Sequence, residues 1–476
     1  VTPRKIISFA IGPVGGALLG LITLPLVTWF FAQEDVGRLS MLQVTLSFGV
    51  LLFSLGLDQA YVREFHERKN KPALLKQAAL PGLLLLAATI AILLCFDELI
   101  SDVLFEVPAT HLSLLVALAA LASFMSRFLA LVLRMKERGL AYSMSQLLPK
   151  LLLVSLIGLY VLLGFDKTLT NLVLAMTVSL VAVTFVFAWN TREEWSRAVS
   201  ASFNLNEVKS MLRFGVPLIL GGLAFWGLTA LDKVFLRLLS SYEELAVYSV
   251  SVSFAAAATI FQSVFSTVWV PTVYKWASSG EGLENVEKTT RFVLAVVVLI
   301  FCLAGLFSWV IIYFLPPEYN GVQWIVVSCL GFPLLYTLSE TTVVGIGISR
   351  RSSFAMLAAI IAFGVNVAGN LWLIPVFGAK GAAVSTCISF FVFFVLRTEF
   401  SIFLWRKTPR RLVYVYTMLS VVLACCFTLF GDDLGNLMLV IWASLLAVSI
   451  ISFRQEYFST LNFISTKTQR KFRNVK

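Results

Sequence analysis

The chain has 476 residues, of which 59% are hydrophobic and 13% charged, and its mean hydropathy is +0.89. That much apolar surface does not fit into one soluble core, which excludes an ordinary soluble globular protein and points to a polytopic membrane protein. The net charge of +11 does not indicate a nucleic-acid binder, because Lys and Arg sit in short segments between apolar runs.

The apolar runs are continuous, not alternating, so the backbone satisfies itself as helices and the fold class is all-α and transmembrane. Fourteen spans are expected, at approximately 5–32, 40–62, 77–97, 111–133, 142–164, 169–189, 211–239, 245–272, 291–315, 322–348, 352–374, 380–404, 412–430 and 437–453. Arg4 and Lys5 precede an apolar run too long for a signal peptide, with no small-residue cleavage site after it, so it is read as the first helix. Loops on the side of the N-terminus carry Arg63, Arg68, Lys69, Lys71, Lys76, Arg134, Lys136, Arg138, Arg350, Arg351, Arg406, Lys407, Arg410 and Arg411. The opposite loops are acidic, with Asp97, Glu98, Asp102, Glu106, Glu243, Glu244, Asp432 and Asp433. The positive-inside rule then places both termini in the cytoplasm, with the basic tail Lys467–Lys476 as an anchor or lipid contact.

The stretch Phe214–Leu239 repeats the beginning of the chain. Gly15, Gly16 and Thr23 meet Gly221, Gly222 and Thr229 at an offset of 206, and Glu34-Asp35 meets Glu243-Glu244 at an offset of 209. The expected organisation is a six-helix bundle over 1–205, a second over 206–405, and two extra helices with a basic tail over 406–476. Six is even, so the two copies run in the same direction. Gly12-Pro13, Pro25, Pro217 and Gly221-Gly222 interrupt corresponding helices, as in moving helices around a central path or in ordinary close packing.

A charge near the bilayer centre costs about 2.5–3.5 kcal/mol on insertion scales, so each needs a partner, a wet cavity or a function. Arg127 and Lys150 lie at similar depth on consecutive spans and repel each other unless an anion or a carboxylate such as Glu340 lies between them. Lys233 and Arg237 share a helix face, and Asp232 is about 100° around from Lys233, so it does not neutralise both. Arg397 and Glu399 are two apart and need partners elsewhere. Asp58 and Arg237 lie close enough to span ends for snorkelling. The candidate substrate-binding cations are Arg127, Lys150, Lys233 and Arg397, and the candidates for ion coupling or charge pairing are Asp58, Asp232, Glu340 and Glu399.

No catalytic constellation is present. His66 and His111 fall on opposite sides of the membrane, the six cysteines lack metal-ligand spacing, and no phosphate-binding loop of an ATP-driven pump is found. No cofactor and no metal are expected, and transport would draw on an H+ or Na+ gradient, the cargo's own gradient or a partner.

GLDQAYVREFHE, Gly56–Glu67, and NLWLIPVFGAKGAAVST, Asn370–Thr386, resemble signatures of bacterial polysaccharide-biosynthesis membrane proteins. With the restart and fourteen spans, the whole chain resembles the Wzx-type O-antigen and capsule flippases of the multidrug/oligosaccharidyl-lipid/polysaccharide exporter superfamily. One departure is Leu245-Ala246-Val247-Tyr248, where Gly usually precedes the Val-Tyr pair. The resemblance implies a MATE-like pair of six-helix bundles and alternating access in the bacterial inner membrane. Its cargo would be undecaprenyl-diphosphate-linked oligosaccharide, its partners membrane lipids, a polysaccharide polymerase and a chain-length regulator. The rival readings are a cation-coupled multidrug exporter of the same fold and a non-transporting scaffold of envelope-polymer assembly. Five intramembrane bases against four acids lean slightly toward an anionic cargo.

Overall fold

The computed structural model describes residues 3–279 and 282–457, and every regular element among them is a helix. The chain divides into two compact units, Val1–Ile260 and Phe261–Lys476. The basic tail Lys467–Lys476 lies outside the described residues.

The first unit contains α1 (Pro3–Thr28), α2 (Gln33–Phe53), α3 (Leu57–Glu64), α4 (Lys71–Leu94), α5 (Leu99–Phe105) and α6 (Thr110–Met135). It continues with α7 (Gly139–Leu163), α8 (Leu169–Asn190), α9 (Arg192–Ser200), α10 (Leu205–Leu239) and α11 (Tyr242–Ala255). The second unit contains all but the first three residues of α12 (Ala258–Ser279), then α13 (Gly282–Phe307), α14 (Val322–Cys329), α15 (Gly331–Thr342), α16 (Val344–Ile348), α17 (Ser352–Leu404) and α18 (Arg411–Ser452). Residue 205, where the sequence places the expected repeat boundary, lies inside the first unit, in which α10 and α11 pack on α2.

Among the described residues ten helices or helix runs are long and apolar enough to cross a membrane. Two of them are each two crossings. At 1.5 Å per residue, straight helices of the lengths of α17 and α18 would reach about 80 and 63 Å, against a hydrocarbon core of about 30 Å. Gly378 (φ 53°, ψ −128°) and Gly435 (φ 38°, ψ −114°) fold them back. In α17 the Ser385 hydroxyl donates to the Asn366 carbonyl at 3.0 Å, and in α18 Tyr416 donates to Ser452 at 2.6 Å, so each pair of halves lies antiparallel. Counted this way, with α1 and the α11–α12 pair, the helices account for the fourteen expected spans. The protein is an all-α, multi-pass membrane protein.

Its surface is inverted relative to a soluble protein. Leu162, Phe185, Trp372 and Ile451 project outward, while Thr177, Ser179, Ser328 and Thr428 are buried. In lipid, helices associate through small residues and interhelical hydrogen bonds, since apolar side chains gain little by leaving lipid. Ser126 and Thr184 join α6 to α8 at 2.7 Å, and Ser328 and Thr428 join α14 to α18 at the same distance. Gly12, Gly15 and Gly16 of α1 face Ser143, Leu147 and Gln146 of α7, so the opening glycines form a packing seam.

The first signature segment ends α2. Leu55 (φ 53°) and Gly56 (φ 68°) take left-handed conformations that stop the helix, and α3 restarts at Leu57. A Cβ on Gly56 would lie 2.3 Å from the Gly215 carbonyl oxygen, so α10 crosses the break backbone to backbone. Charges hold α10 at both ends, against α3 at one and α5 at the other. Arg68 bridges Glu64 and Glu207 at one, and at the other Arg237 donates to the Val103 carbonyl at 2.7 Å and lies 3.4 Å from Glu106. Outside the spans, partial burial pushes the Glu194 carboxyl of α9 upward, but the Lys136 hydrogen bond and the Lys136 and Arg138 charges outweigh it and hold the group below its usual range.

Gly56→Ala should destabilise the protein by about 1–2 kcal/mol from its left-handed backbone alone, and more from the clash with Gly215. Thermal unfolding of purified protein checks this as a melting temperature lower by several degrees.

Candidate functional site

In the first unit, the break between α2 and α3 turns Asp58 inward, where it meets Arg127 of α6 with an Nη2–Oδ2 distance of 2.8 Å. The Asp58 carboxylate also accepts from the Gln59 backbone N–H at 2.9 Å and from Gln59 Nε2 at 3.1 Å. The Asp58 side chain is only 9% exposed, so it does not snorkel. The Arg127 side chain is 42% exposed, and its guanidinium carries further donors beyond the one given to Asp58.

Those donors border a cavity of about 530 Å³. Its polar wall comes from Gln43, Ser47 and Ser54 along α2, Ser123 and Ser126 on α6, and Tyr142, Ser145 and Gln146 on α7, with α8 closing it by apolar side chains. Hydroxyls, amides, a carboxylate already taken and a part-exposed guanidinium suit a polar, negatively charged ligand.

Lys150 does not line this cavity. Its Nζ donates to the Gly16 carbonyl of α1, which the missing Cβ of Gly20 leaves open on that face. Repulsion between Arg127 and Lys150 is thus relieved without Glu340, each cation having its own acceptor. Asp232 is fully buried on α10 and accepts from the Tyr248 hydroxyl of α11 at 2.6 Å, while Lys233 is half-buried beside it.

In the second unit, Glu340 of α15 pairs with Arg397 of α17 at 3.0 Å, with side-chain exposures of 12% and 10%. Arg397 also donates to Ser339 at 2.6 Å and lies over the rings of Tyr336 and Phe393. This pair forms part of a cavity of about 350 Å³ that also includes Trp269 and Arg350. Glu399 lies apart from it, accepting from the Tyr414 hydroxyl at 2.7 Å and pairing with Arg410 at 2.9 Å.

Of the eight residues singled out in the sequence, the structure joins Asp58 to Arg127 and Glu340 to Arg397, and holds Lys150, Asp232 and Glu399 in separate contacts. The uncharged polar lining of the first cavity is not among the residues that intramembrane charge marks in the sequence, although its signal is there. Gln43, Ser47 and Ser54 recur at helical spacing, as do Ser123, Ser126 and Arg127, so each set marks one face. In the sequence Arg350 reads only as a loop residue.

A family described as polysaccharide biosynthesis protein matches residues 3–276, more than half the chain. The chain belongs to that family. The Asp58–Arg127 pair and its cavity lie wholly within the matched residues. No curated protein matches the sequence. Among solved structures, the lipid II flippase MurJ in an inward closed conformation superposes with a TM-score of 0.68 at 15% identity, covering 94% of this chain and 99% of that one. A multidrug resistance MATE family transporter of the MOP superfamily gives 0.54 at 17% identity in its inward-facing conformation, covering 83% of this chain and 94% of that one. Its outward-facing conformation gives 0.53 at 16% identity, with 84% and 95% covered. This member of the polysaccharide biosynthesis family therefore has the fold shared by MATE transporters and MurJ.

The two ion pairs differ in what their loss should cost. Glu340→Ala strands a buried guanidinium and should destabilise the protein by about 3–5 kcal/mol. Asp58→Ala leaves a guanidinium that the cavity can hydrate and should cost about 1 kcal/mol or less. Parallel unfolding curves of the two variants check the order.

Proposed function

We propose that the protein is a flippase that carries a polyprenyl-diphosphate-linked oligosaccharide across the bacterial inner membrane by alternating access, for synthesis of an O-antigen- or capsule-type polysaccharide. Membership of the polysaccharide biosynthesis family supports the cargo class, and the fold supports transport. The observation that carries the reading is Arg127, a part-exposed guanidinium on a hydroxyl- and amide-lined cavity of about 530 Å³. Arginine matches phosphate oxygens with two parallel N–H donors, and serine, glutamine and tyrosine side chains suit a sugar. The polyprenyl tail stays in lipid. Both termini face the cytoplasm on the distribution of Lys and Arg, and an H+ or Na+ gradient or the cargo's own gradient drives the cycle. The two repeats, 1–205 and 206–405, are the expected moving bodies, with 406–476 as an appended pair of helices and tail.

A cation-coupled drug exporter would require a carboxylate open to the cargo. Asp58 is occupied by three donors, Glu340 by Arg397, Glu399 by Tyr414 and Arg410, and Asp232 by Tyr248, which disfavours that reading.

Translocation of a polyprenyl-diphosphate-linked sugar in proteoliposomes tests the proposal. Arg127→Ala should slow it about 10- to 100-fold, the loss of one or more charge-assisted hydrogen bonds, with Arg127→Lys between this variant and wild type. Lys150→Ala should have the smaller effect, because Lys150 contacts α1 and not the cavity. Full-rate translocation by Arg127→Ala at normal expression would remove Arg127 from the mechanism.

A further inference from the structure

The short helix α9 is fixed to the end of the first unit that carries the basic loops. Lys76 of α4 donates to the Val199 and Ala201 carbonyls at 2.8 Å, and Lys136 beside α6 pairs with Glu194. Helical spacing sorts the residues of α9. Glu194 and the buried Ala198 face the bundle, Trp195 and Val199 are exposed on the outside, and Glu193 and Arg197 lie between. Between α9 and the helices α3, α4 and α6 is a pocket of about 220 Å³, bordered by Tyr61, Lys71, Lys136, Glu193, Glu194 and Arg197. Lys136 and Glu194 neutralise each other. Arg197 and Glu193 have no ion-pair partner among the described residues, and the Lys71 Nζ lies 4.6 Å over the Phe65 ring with no carboxylate on it. Two unpaired cations against one unpaired carboxylate leave the pocket positive.

A second observation lies at the floor. Tyr61 is 2% exposed and packs edge-on to Phe65, yet its hydroxyl has no hydrogen-bond partner among the described residues. The oxygen is not sealed inside the protein, so the O–H opens into the pocket that Tyr61 borders. A buried phenol ordinarily finds a partner, and this one marks the place of an absent acceptor. A hydroxyl from α3, an ammonium from α4 and a guanidinium from α9 thus converge as donors on one small space. We propose that this pocket binds a phosphoryl group, supplied by the head of a membrane phospholipid. The exposed Trp189, Trp195 and Val199 beside it are the side chains of a membrane–water interface, which sets the pocket at head-group level, and Phe65 and Leu75 give it an apolar back for the glycerol. A soluble phosphate ester would offer the same three donors the same oxygens. The pocket shares no lining residue with the Arg127 cavity, and the proposal does not rest on the flippase reading.

Native mass spectrometry of the full chain in detergent tests the site, titrating phosphatidylglycerol as the lipid and sn-glycerol 3-phosphate as the soluble probe. Arg197→Ala should weaken binding of phosphatidylglycerol about ten-fold, and Tyr61→Phe, which removes only the hydroxyl, about five-fold, each through the loss of a charge-assisted hydrogen bond. Arg192→Ala removes the same charge from the same helix outside the pocket, where Arg192 stacks on Trp189, and should leave the affinity unchanged. Weakening for both ligands assigns the site to the phosphoryl group itself, and weakening for phosphatidylglycerol alone assigns it to the lipid head group. Weakening for glycerol 3-phosphate alone would overturn the lipid source and leave a soluble phosphate ester as the ligand. Affinities for both ligands unchanged in either pocket variant, or reduced as much by Arg192→Ala as by Arg197→Ala, would overturn the site and reduce it to diffuse surface charge. The readout is binding and not translocation, so failure here is distinguishable from failure of the transport reading.

Discussion

A charge held among helices in lipid has little water to hydrate it, and this protein meets that constraint by giving each singled-out intramembrane carboxylate a donor from another part of the fold. Asp58 meets Arg127 across α3 and α6, Asp232 meets Tyr248 across α10 and α11, and Glu340 meets Arg397 across α15 and α17. The insertion cost of an isolated charge, about 2.5–3.5 kcal/mol, makes each such contact a condition on helix position. Helix breaks supply the geometry. Without the left-handed Leu55 and Gly56, Asp58 would continue the face of α2 and would not be turned toward α6.

The two main ion pairs solve the problem differently. Glu340 and Arg397 are both nearly buried, so their pairing is mostly internal. Asp58 is buried, but Arg127 is open to a polar cavity on one side. Three donors on Asp58 hold its position, and the arginine remains the charged group open to the cavity. This asymmetry suits the first cavity to an anion better than to a cation, which is the basis of the proposed cargo.

Much of the fold was legible in the sequence, because apolar run length and the loop charges report directly on membrane crossing. The segments Gly56–Glu67 and Asn370–Thr386 are visible as motifs, and the structure gives their mechanics: one opens at a helix break, the other is a hairpin folded at Gly378. Partner choice was not legible. Arg127 and Glu340 are both isolated charges in sequence, and nothing in their spacing shows that the first belongs to Asp58 and the second to Arg397. Helix neighbours are set by packing, and seams such as Gly12 to Gly16 against α7 are read only once the partner helix is known. The polar wall escaped notice because serine and glutamine are uncharged, so a search for intramembrane charges passes over the stripe that they form.

The central claim is that Arg127 acts through the direction in which its charge faces the cavity, and not merely by neutralising Asp58. Exchanging the two, Asp58→Arg with Arg127→Asp in one chain, preserves the net charge of the pair while placing a carboxylate toward the cavity. The account predicts near-normal folding, read as an unfolding temperature close to wild type, together with loss of lipid-linked sugar translocation in proteoliposomes. Translocation restored to the wild-type rate by the exchange would contradict it, and would make the pair a structural tie between α3 and α6.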